Sequence, residues 1–68
     1  MSKELASAVG KLKEEFGDVM VRVIETATVR IGSDQIEWEY RAVVPKFGVL
    51  EIADDLAQVM QKAIARKV

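Results

Sequence analysis

The chain has 68 residues, with ten Lys and Arg against eleven Asp and Glu and a formal net charge of −1. It holds neither cysteine nor histidine, which excludes disulfides and removes the usual zinc ligands and the commonest general base. A near-neutral balance also lacks the excess of Lys and Arg that marks dedicated nucleic-acid binders.

Residues 3–16 place Leu5, Ala8, Val9, Leu12 and Phe16 at spacings of three and four, the period of a helix with one apolar face. Ser2 fits the N-cap, where a hydroxyl accepts a bond from an orphan amide. Gly17 fits the stop, because glycine tolerates the left-handed conformation there. Gly10 lies inside at a cost of about 1 kcal/mol relative to alanine. It reads as a tolerated defect, with close approach by another element as the sharper alternative. The segment has acids within its apolar pattern and no continuous apolar centre, unlike a signal peptide.

Residues 19–31, VMVRVIETATVRI, predict a long strand rich in β-branched side chains. Its odd positions form the core side, with Glu25 as the exception. Residues 35–44 predict a second strand, with Ile36, Trp38, Tyr40, Ala42 and Val44 on the core side. Glu37, Glu39, Arg41 and Val43 point the other way. A turn at Gly32-Ser33-Asp34-Gln35 would pair Ile31 with Ile36, Val29 with Trp38, Ala27 with Tyr40 and Val23 with Val44. On the wet side Arg30 would then meet Glu37, Thr28 would meet Glu39 and Thr26 would meet Arg41.

Pro45 ends the second strand, since it cannot donate to a ladder. Phe47, in the linker that follows, is expected to form a lid over the end of the core. Residues 49–66 predict a second helix with Ile52, Ala53, Leu56, Val59, Met60, Ala63 and Ile64 as its apolar stripe. Glu51, Asp54 and Asp55 come early and Lys62, Arg66 and Lys67 late, an order that suits the helix dipole.

The expected fold is a single α+β domain over 1–68, in the order α-β-β-α. A long antiparallel hairpin would be covered by two amphipathic helices that bury Trp38 and Tyr40. A lone hairpin is marginal in water, and open edges invite another chain. A chain this short, without disulfide or metal, has self-association left as a way to enlarge its core. Dimerisation into a larger sheet is therefore expected, with Met20, Ile24 and Val43 as the candidate oligomer interface.

Glu37 and Glu39 share one face about 6.5–7 Å apart, a separation that paired-carboxylate chemistry can use. Arg30 and Arg41 lie where cross-strand pairing neutralises them. Glu25 is expected at a sheet margin, beside a cation or at a subunit boundary, since a buried unpaired carboxylate is costly. Glu51, Asp54 and Asp55 fall short of the ligand number and spacing of a cation loop. No catalytic residue, metal site or cofactor is expected.

The leading expectation is a small non-enzymatic, homo-oligomeric protein-interaction module, a homodimer or higher oligomer. The second is a nucleic-acid-binding dimer that turns Arg22, Arg30, Arg41, Thr26 and Thr28 toward phosphates. Against it stand the two glutamates on that face and its lack of a stacking aromatic. No apolar run approaches the roughly 20 residues needed to cross a bilayer, so no membrane partner is expected. The absence of cysteine fits a reducing compartment, and the expected location is cytoplasmic.

Overall fold

In a computed structural model, which describes residues 2–67, two helices and a three-stranded antiparallel sheet form a small α+β fold. Helix α1 spans Lys3–Phe16. Strands β1 (Arg22–Thr28), β2 (Glu37–Val44) and β3 (Val49–Ala53) lie in the order β1-β2-β3. Helix α2 spans Leu56–Ala65.

Helix α1 forms where its apolar period predicts. Ser2 Oγ accepts a bond from the Leu5 amide at 3.1 Å, and Gly17 ends the helix. Ala8, Leu12 and Phe16 are buried, with Leu5 and Val9 at the margin. Gly10 is exposed, and a Cβ added there would meet nothing within 4 Å. Within the chain, therefore, no helix or strand approaches Gly10 closely. Gly10→Ala should raise stability by about 0.5–1 kcal/mol, or several degrees in a thermal melt of a domain this size. A lower melting temperature would mean that something packs against Gly10.

The first correction concerns residues 49–53, which form a strand and not the start of a helix. Val49, Ile52, Ala53 and Leu56 satisfy a helical spacing, but VLEIA also alternates. Val49 is buried, Leu50 exposed, Glu51 half-buried, Ile52 exposed and Ala53 half-buried. A short 3-10 turn at Pro45–Phe47 and Gly48 at φ 66° reverse the chain so that this run pairs with β2. The left-handed φ at Gly48 costs other residues and not glycine. Asp55 then starts α2, its Oδ1 accepting the Gln58 amide at 2.7 Å. The order is thus α-β-β-β-α.

The second correction is the register. Val23 lies opposite Ala42, Glu25 opposite Tyr40, Ala27 opposite Trp38 and Thr28 opposite Glu37. Each expected partner is displaced by two residues. A shift of two preserves faces, so alternation alone does not decide it. The expected register would have set Glu25 against Ala42, which is fully buried. The observed one gives its carboxylate a hydrogen-bonding partner instead. The tight turn also falls earlier, with the Ser33 amide donating to the Arg30 carbonyl at 3.1 Å.

The core consists of Ala8, Leu12, Phe16, Ala42, Val44, Val49, Val59, Met60 and Ala63. The third correction is that Trp38 lies outside it. Its side chain is on the helix side of the sheet, yet 46% exposed, and Tyr40 is only half-buried. The strands are also shorter than the expected 19–31 and 35–44, with pairing that stops at Thr28 and Glu37, and the loop between them continues past the helices as an arm. The arm makes the molecule long, 43 × 22 × 16 Å, with a radius of gyration of 13.0 Å. About 11 Å is usual for this length. At the other end Phe47 is a partial lid: its ring meets that of Phe16 at 5.6 Å but remains exposed.

Candidate functional site: the open face of the sheet

Both helices pack on one side of the sheet, so the other side is uncovered. Alternation puts Arg22, Ile24, Thr26 and Thr28 of β1 there, with Glu37, Glu39, Arg41 and Val43 of β2. Pairing adds Leu50 and Ile52 of β3. Two rows run across the three strands, Arg22–Val43–Leu50 and Ile24–Arg41–Ile52. Met20 stands just before β1 and is 62% exposed. Leu50, Ile52 and Ile24 are 56, 44 and 38% exposed. Met20, Ile24, Val43, Leu50 and Ile52 thus gather toward the end of the face that carries Arg22 and Arg41.

Sequence reasoning found Met20, Ile24 and Val43 and missed Leu50 and Ile52. The signal was the alternation of VLEIA, hidden by its fit to a helical stripe.

Arg22, Arg30, Arg41, Thr26 and Thr28 share this side with the two glutamates. Arg30 Nε lies 2.6 Å from Glu37 Oε2, and Arg41 Nε lies 2.7 Å from Glu39 Oε1. Two of the three guanidiniums therefore already hold carboxylates. Exposed pairs of this kind contribute about 0–1 kcal/mol each. Their effect here is on potential: the polar end of the face presents no net cationic track. A corner of about 420 Å³ opens where β3 stops and β2 continues, lined by Thr28, Arg30, Trp38 and Ile52 among others.

On the helix side, Glu25 emerges at the margin of β1, and Tyr40 Oη donates to its Oε2 at 2.8 Å. That hydrogen bond, then partial burial and the negative charge of Glu25, hold the Tyr40 hydroxyl above its ordinary pKa of 10.0. The folded state therefore binds the phenolic proton more tightly than the unfolded chain. Its contribution to stability is complete below pH 10.0 and is lost as pH rises from there through the folded-state pKa. Glu25→Gln should lower the tyrosine's titration midpoint, read by ultraviolet absorbance. An unchanged midpoint would rule out the carboxylate as the cause.

Glu51 also points to the helix side, where Arg66 Nη1 approaches its Oε2 at 3.2 Å and ties β3 to the end of α2. Lys62 Nζ donates to the Ile52 carbonyl at 3.1 Å, which occupies part of the β3 backbone. Between α1 and α2 lies an open groove of about 890 Å³ with Ala8, Leu56, Met60 and Ile64 along it. Among the described residues, no three histidine, cysteine, aspartate or glutamate side chains gather as a metal site would require. None of their helices is long and apolar enough to cross a membrane.

Comparison with protein-family models, with curated proteins and with solved structures gives no match to this chain.

Proposed function

We propose that the chain is a non-enzymatic, homo-oligomeric protein-interaction module, and that the occupant of its open sheet face is a second copy of itself. The observation that carries this is the cluster of Met20, Ile24, Val43, Leu50 and Ile52 on a face with no cover of its own. Single exposed aliphatics are ordinary, whereas contiguous ones mark interaction surfaces. A two-fold axis through the cluster lays it against its own copy, aliphatic on aliphatic. Size argues the same way, because a chain this short without disulfides gains most from sharing apolar surface.

Light scattering at micromolar concentration tests the reading. The expected mass is at least twice the chain's 7.6 kDa. A monodisperse monomer would overturn it.

A further inference from the structure

The arm and the interhelical groove are separate from the open face, and each lacks what the other carries. Val29, Ile36 and Trp38 continue the sheet's core side beyond the helices and are about half exposed, while Ile31 at the tip is fully exposed. The same alternation that fills the core is thus written along a segment with nothing over it. The ladder between β1 and β2 stops at Thr28 and Glu37, so neither strand pairing nor a helix covers these side chains, and an exposed apolar segment of this kind calls for a partner surface. The groove offers one. Its floor is Ala8, Leu56, Met60 and Ile64, with Lys3 and Lys11 on its α1 side. Methionine adapts its shape to an incoming side chain, and the groove, open to solvent with a volume of about 890 Å³, has room for several side chains.

Charge and placement agree with shape. The groove's charged residues are Lys3 and Lys11 against Glu4, a balance of +1. On the arm Arg30 and Glu37 pair with each other, which leaves Asp34 as its net charge. The Phe16–Phe47 ring contact sets the end of α1 at the β2–β3 turn, and Lys67 Nζ, 3.4 Å from Glu15 Oε2, brings the end of α2 to the same place. Both helices therefore begin at the end of the sheet from which the arm projects. Two copies meeting at that end present arm to groove twice, a reciprocal contact that a two-fold axis closes.

We infer that the arm of one chain, residues 29–38, docks in the α1–α2 groove of a second copy. This contact stands apart from the open-face contact. The chain has no cysteine, so introduced thiols report it without background. Ile31→Cys and Gln61→Cys, made in separate chains at exposed positions, are mixed in equal amounts with a short bismaleimide. The mixed pair is expected to cross-link at least tenfold more than an Ile31→Cys and Lys46→Cys control, whose second thiol sits at the far end. The same adduct is expected when both chains also carry Ile24→Lys, which disturbs the open face and leaves arm and groove intact. Equal yields in the two mixtures, no mixed adduct, or loss of the adduct in the Ile24→Lys background would each overturn the inference. An adduct that persists while Ile24→Lys leaves the oligomer mass unchanged would support the arm contact and count against the open face alone.

Discussion

Leu12→Ala is expected to take away about 2–5 kcal/mol of folding stability and to leave much of the chain unfolded at ordinary temperature. Leu12 is fully buried, on the same side of α1 as Ala8 and Phe16 and in one cluster with Val44, Val49 and Val59. Proteins carry roughly 0.05–0.15 kcal/mol of stability per residue. On that scale a chain of this length has about 3–10 kcal/mol in all. One side chain then represents a large share of the total. Its removal leaves a hole that the other eight residues of the cluster can close only in part, since interiors are packed as tightly as crystals. Urea unfolding followed by circular dichroism reads the effect as a lower midpoint with the slope kept. Because association would add stability to the oligomer, the chains are compared at concentrations low enough to keep them monomeric. Leu50→Ala is the companion measurement. Leu50 is a similar side chain on the open face, and its loss should cost the isolated domain well under 1 kcal/mol. A small effect at Leu12 together with a large one at Leu50 would place the core on the wrong side of the sheet.

The contrast between these two leucines also marks what the sequence discloses. Periods are legible. The three- and four-residue spacing of Leu5, Ala8, Leu12 and Phe16, capped by Ser2, is helix α1 almost to the residue. The two-residue period separates the sides of β1 and β2 correctly, so Arg22, Ile24, Thr26 and Thr28 do share the open face. What periods leave open is anything that a period tolerates. A two-residue slip keeps every side chain on its side, so the register depended on Glu25 finding Tyr40, a contact between two residues that alternation treats alike. Five residues with Val, Leu and Ile fit a strand and a helix about equally well. The choice for Val49–Ala53 was made by Gly48, which lets the chain turn back on β2, and by Asp55, whose side chain caps the helix only from Leu56 onward. Extent is the third thing hidden. Trp38 lies on the side that its alternation predicts, but nothing in the pattern of one strand says how far a helix elsewhere in the chain will reach over it. The candidate site was legible to the same degree: its β1 and β2 members follow from alternation, its β3 members follow only from the pairing.

An Ile24→Lys, Ile52→Lys double variant is expected to remain folded and to lose the open-face contact. The two residues flank Arg41 in one row across the sheet, and both side chains are exposed in the single chain. The domain's own core therefore loses little, and far-ultraviolet circular dichroism should match the parent. In a two-fold contact each substitution occurs twice. Burying a whole isoleucine side chain contributes about 1.5–3 kcal/mol, and these two have roughly a third to a half of that left to gain. Four such half-contributions come to about 4 kcal/mol, or roughly a thousandfold in dissociation constant. The added ammonium groups push in the same direction, because they would face the partner's Arg41 in a drying interface. Thr28→Lys, at the polar end of the same face, supplies a lysine away from the aliphatic cluster and should weaken association far less. Sedimentation velocity over a concentration series measures all three. If the double variant sediments as the parent does at every concentration, the aliphatic cluster is not the contact. If Thr28→Lys weakens assembly as much as the double variant, charge on the face matters and burial of Ile24 and Ile52 does not.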